Sequence, residues 1–75
     1  MSAFARKIGT TIKERRQALG LSQEALSALS GINRTYLGEI ERGVVEVSAV
    51  NLQKIASGLE MHLSELIRLC EEKND

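Results

Sequence analysis

The chain has no proline and no tryptophan, and only one cysteine, one histidine, one phenylalanine and one tyrosine among its 75 residues. Each shortage excludes something. A lone Cys70 cannot close an intrachain disulfide, and with His62 as the single imidazole no Cys/His cluster has metal-ligand spacing. No metal or other cofactor is therefore expected. A free thiol fits a reducing compartment. No apolar run approaches a membrane span, and the start, Met1-Ser2-Ala3-Phe4-Ala5-Arg6-Lys7, lacks the apolar stretch of a secretory signal. The expectation is a cytoplasmic protein with no membrane partner. Ser, His and Glu occur in no nucleophile–base arrangement and there is no Gly-rich phosphate loop, so no enzyme is expected either.

Net charge is also lacking, since ten Lys/Arg balance ten Asp/Glu. Taken alone, that argues against a nucleic-acid partner. The distribution is uneven, however. Residues 1–43 hold seven Lys/Arg against four Glu, a net +3, and residues 44–75 hold three against six acids, a net −3. A dipolar chain could turn its basic end to phosphates; scattered solvated charge would give the same counts. The length allows one domain, residues 1–75, with a thin stability margin. With disulfides and metals set aside, association between copies is the remaining common support.

What is present is helical punctuation. The glycines are read as falling between apolar periodic segments rather than inside them, the pattern of short helices joined by tight turns. Phe4, Ala5, Ile8, Ile12 and Leu19 make one apolar stripe, so a first helix is expected from Ala3 to Leu19, ended by Gly20 in a left-handed conformation. Ser22 is a good N-cap for a second helix from Gln23 to Leu29, with Leu21 and Leu26 placed as a hydrophobic staple. The device recurs with Ile32, cap Asn33 and Leu37 for a third helix ending at Arg42. It recurs again with Val47, cap Ser48 and Leu52 for a fourth, which Gly58 closes. Ser64 is expected to cap a fifth helix carrying Leu66, Ile67, Leu69 and Cys70 and fraying through Glu71–Asp75, with His62 in the loop before it. No period-two strand pattern competes, so the fold class is all-α, five short helices.

The stretch Gln23–Gly43 has the length of a helix-turn-helix, with the turn at Gly31 and small residues Ala25, Ser27, Ala28 and Ser30 for a close crossing. On the third helix Leu37 and Ile40 point one way, with Tyr36 at the edge. Arg34, Thr35, Gly38, Glu39 and Arg42 cluster on the other side. That outer face suits a helix entering the major groove. Arg34 could pair bidentately with guanine, Thr35 could bond a base or touch a thymine methyl, and Gly38 would let the backbone come close. An ordinary solvated face would also carry charge there.

The segments Leu21-Ser22-Gln23-Glu24, Gly31, Asn33-Arg34-Thr35-Tyr36 and Ile40-Glu41-Arg42-Gly43 resemble the signatures of the phage-repressor/Cro-type (Xre) helix-turn-helix family. The Arg-Thr-Tyr triplet followed by Ile-Glu-Arg-Gly is similar to the controller proteins of restriction-modification systems. The resemblance implies a phage-repressor-like DNA-binding domain contacting double-stranded operator DNA through Ser22, Gln23, Asn33, Arg34, Thr35, Tyr36, Glu39 and Arg42. Gln23 and the second helix's N-terminus would hold a phosphate, Arg34 and Thr35 would read bases, Tyr36 would lie at the groove rim or half in the core, and Arg42 would touch phosphate. Glu39 would accept from cytosine or repel wrong sequences. Arg16 and Glu41 would form a buried pair joining the first and third helices. The loop Val44-Val45-Glu46-Val47 departs from the family, whose members usually carry Arg or Lys there, so weaker non-specific binding or another interface is expected.

The last two helices carry more apolar residues than one face of each needs. Val50, Ile55, Met61, Leu63, Leu66 and Ile67 are the expected dimer seam of a homodimeric repressor or activator; the alternative is that all are monomer core. Repression would come from occluding RNA polymerase, activation from contacting it. The alternative function is an antitoxin-like protein-interaction module, binding DNA secondarily and using the valine-rich loop as its partner surface.

Overall fold

The computed structural model describes residues 2–73, and these form five helices: α1 (Ala3–Ala18), α2 (Gln23–Ser30), α3 (Arg34–Arg42), α4 (Ala49–Gly58) and α5 (Leu63–Glu71). The fold is all-α. The starts are set by local chemistry. The Ala25, Tyr36 and Asn51 N–H groups donate to Ser22 Oγ (3.0 Å), Asn33 Oδ1 (3.1 Å) and Ser48 Oγ (3.1 Å), so each expected cap satisfies one of the donors that a helix leaves unpaired at its first turn. Ser2 does the same for α1 through Ala5. The turn between α2 and α3 uses Gly31 at φ 73°, and the Ser27 hydroxyl closes it by donating to the Ile32 carbonyl.

Ile8 and Ile12 of α1, Leu26 of α2, Leu37 and Ile40 of α3, Leu52, Ile55, Ala56 and Leu59 of α4, and Leu66 and Cys70 of α5 make one core, to which the turn residue Ile32 also belongs. Cys70 is buried in it as a small hydrophobe. No helix among the described residues is long and apolar enough to cross a membrane.

Several expectations are corrected. Gly9 and Gly38 lie inside helices, not between them. A Cβ at Gly9 would sit 2.2 Å from the Ile40 carbonyl oxygen and 2.9 Å from that of Glu41. Only a residue without a side chain lets the backbones of α1 and α3 touch in this way. Gly58 does close α4, as its last residue, and it has a second task. It packs under α2, where a Cβ would be 3.0 Å from Leu26 Cδ1 and 3.2 Å from Ser30 Cβ. The left-handed residue that follows α4 is Glu60, at φ 61°. Of the small residues of α2, Ser30 therefore serves the contact with α4, and Ala28 faces solvent. Phe4, expected in the apolar stripe of α1, is 40% exposed. Helix α5 begins at Leu63 rather than after Ser64, because Glu65 reaches back to accept from the His62 N–H at 2.9 Å and moves the cap to that residue.

Candidate nucleic-acid interface

Helix α3 is amphipathic. Leu37 and Ile40 are fully buried beneath it, and Arg34, Thr35 and Arg42 are exposed on the other side, with Asn33 exposed at its cap. Glu39 is partly exposed. Tyr36 is half-buried and packs against the core, leaving the rest of its ring at the edge of the outward face. The half-buried core position is the one observed.

The helix is held by a buried ion pair. Arg16 Nε and Nη2 donate to the two oxygens of Glu41 at 2.8 and 3.0 Å, while Arg16 Nη1 donates to the Leu21 carbonyl at 2.8 Å. The Glu41 side chain is 2% exposed and that of Arg16 10% exposed. Sequence reasoning missed a third donor, the Gln23 amide, whose Nε2 gives a 3.0 Å bond to Glu41 Oε1. Three N–H groups from two helices thus converge on one carboxylate, so the buried charge is both paired and hydrogen-bonded. The consequence is positional. Ser22 and Gln23 at the start of α2 are fixed relative to the outward face of α3, and α1 is tied to both. Helix geometry leaves the N–H groups of Gln23 and Glu24 without an intrahelical acceptor, beside the positive end of the α2 dipole, an arrangement suited to a phosphate.

The loop after α3 is less apolar on its surface than its sequence suggests. Val45 and Val47 pack against the core, leaving Val44 as its exposed valine. Glu46 is turned to the start of α1, accepting from Ser2 Oγ at 3.2 Å and from the Ser2 N–H at 3.4 Å. Among the described residues no group of His, Cys, Asp or Glu is placed to hold a metal ion.

The residues expected at a dimer seam divide in two. Ile55 and Leu66 have no exposed surface, because the core takes their whole side chains, so they have nothing to offer a second copy. Val50 is 62% exposed, and Met61, Leu63 and Ile67 are half-buried around the junction of α4 and α5.

A helical core with two short helices locked at a glycine turn, the second carrying the polar outward face, defines a class. The chain belongs to the helix-turn-helix family, whose profile matches residues 12–66. Several of its relatives are controllers. The control protein C.MunI of a Mycoplasma species is 41% identical over 68 residues, 89% of this chain and 92% of that protein. The restriction-modification controller C.AhdI from Aeromonas hydrophila superposes with a TM-score of 0.82 at 46% identity, over 87% of this chain and 98% of that one. The controller C.Esp1396I, as a tetramer in complex with its natural 35-base-pair operator, gives a TM-score of 0.83 at 30% identity, over 96% of this chain and 100% of that one.

Proposed function

We propose that this chain is a sequence-specific, DNA-binding transcription regulator that binds a dyad-symmetric operator as a homodimer, and that it is the controller of a restriction-modification system. The observation that carries the reading is the Arg16–Glu41–Gln23 network, which fixes the start of α2, suited to a phosphate, beside a polar outward face. Ser22 and Gln23 would set the register on the backbone. Asn33, Arg34, Thr35, Tyr36, Glu39 and Arg42 would enter or flank the major groove, with Arg34 and Thr35 reading bases.

Size argues for two copies. The described residues span 28 × 22 × 21 Å, too little for one chain to reach successive half-sites about 34 Å apart. Helices α4 and α5 are the proposed seam, through Val50, Met61, Leu63 and Ile67. A hollow at their junction, lined in part by Met61 and Leu63, offers a concave place for a partner's side chain. Occupancy near a promoter would then block RNA polymerase or, at another site, contact it. The antitoxin-like reading loses its main support, because two of its three valines are spent on the core.

Selection from a random duplex pool tests the proposal. Wild type should enrich a two-fold symmetric motif, and Arg34→Ala should lose information at one matched position in each half-site. An absence of any enriched motif with wild-type protein would sink the reading.

A further inference from the structure

The middle of the outward face is bare. Gly38 has no side chain, yet it is buried, because two side chains lie over it. Arg42 Nη1 is 3.4 Å from the place a Cβ would take, and the Gln23 amide is 3.9–4.0 Å from the same point. The two covers differ. Gln23 is tethered by its bond to Glu41, whereas no hydrogen bond or ion pair among the described residues holds the Arg42 guanidinium. The bare patch therefore has a fixed wall and a movable one.

Glycine here is not required by packing. Its φ is ordinary, and a Cβ would meet only contacts of van der Waals length. Alanine in a helix interior is more stable than glycine. The free protein thus tolerates a less stable residue in its reading helix with no internal reason to do so.

We propose that Gly38 is a specificity-determining residue whose missing side chain forms a slot for the 5-methyl group of a thymine, one per half-site, opened when Arg42 swings off toward a phosphate. The chemistry of the slot follows from its floor. The backbone N–H and C=O groups in mid-helix are committed to the helix, so the floor can give only van der Waals contact. In the major groove the one apolar feature on a base edge is the thymine methyl. A floor with no free donor or acceptor, set beside a Gln23 amide already bonded to Glu41 and facing the groove, favours that group. The inference rests on the DNA-binding reading above.

The test exchanges a methyl between protein and DNA. On the operator selected by wild type, each thymine is replaced in turn by uracil, which lacks only the methyl. Wild type should lose about fourfold in affinity at one thymine per half-site, the worth of one buried methyl-sized group. Gly38→Ala should bind the thymine operator at least tenfold more weakly than wild type, yet bind the operator with uracil at that position more tightly than its thymine parent. Its melting temperature should rise, by about 4–8 °C, which excludes misfolding as the cause. The proposal is overturned if the uracil scan is flat for wild type, or if Gly38→Ala binds both operators as wild type does. Failure of wild type to select any operator would instead overturn the parent reading.

Discussion

Two single residues hold the reading helix in place, and each makes a sharp demand. Glu41 takes three hydrogen bonds in a buried setting, so removing its charge would leave the Arg16 guanidinium uncompensated inside the fold. Glu41→Gln should cost about 3–5 kcal/mol in chemical denaturation, and adding Arg16→Met to it should recover part of that loss rather than deepen it. Additive losses would mean that the pair is not coupled. Gly9 is the second. Gly9→Ala drives a methyl into two carbonyl oxygens of α3 and should cost at least about 1–3 kcal/mol, although alanine is the better helix former. A melting temperature at or above that of wild type would contradict the close approach. The sequence disclosed these two residues unequally. The Arg16–Glu41 pair was legible through a family resemblance, but nothing local marks Gly9 as a contact or Gln23 as the third donor. Both depend on which helices meet, and their neighbours in the chain carry no record of that.

At the scale of elements, the starts of α2, α3 and α4 were legible because a cap is a bargain between residues three apart. The ends and the last helix were less so. At α5 a serine in the right place is outcompeted by Glu65, which captures the His62 N–H, and at the end of α4 the glycine that closes the helix also admits α2, a task the local sequence does not show. The hydrophobic pattern named the core of α4 and α5 but could not say which of its members kept a surface. Ile55 and Leu66 did not, while Val50 did. The loop between α3 and α4 carries its own prediction. With Glu46 where a cation would grip phosphate, Glu46→Lys should tighten non-specific duplex binding and steepen the salt dependence by about 0.9 logarithmic units per logarithmic unit of salt for one added phosphate contact. An unchanged slope in a titration across salt concentrations would place the loop away from the backbone. The bond to Ser2 that this change removes is exposed and adds little to stability.

For the molecule as a whole, a core this small leaves little reserve, and the proposed pairing would add to it by mass action. Ile67→Glu puts a charge on the half-buried rim of α5 and should yield a monomer in sedimentation at concentrations where wild type is dimeric, with helix content retained and operator affinity lowered at least tenfold. A dimer that survives the substitution would move the seam elsewhere. The charge asymmetry seen in the sequence also acts at this scale, through a basic N-terminal portion that includes the reading helix and an acidic C-terminal one. The anchoring of α3 has a different kind of consequence. Because Leu37, Ile40 and Glu41 do the holding from its inner side, Arg34, Thr35 and Glu39 owe nothing to the integrity of the fold. If the proposed base readout holds, descendants of this chain could exchange those three letters and address a new stretch of genome while inheriting the same chassis, so a change of target could arise in few mutational steps and without passing through an unfolded ancestor.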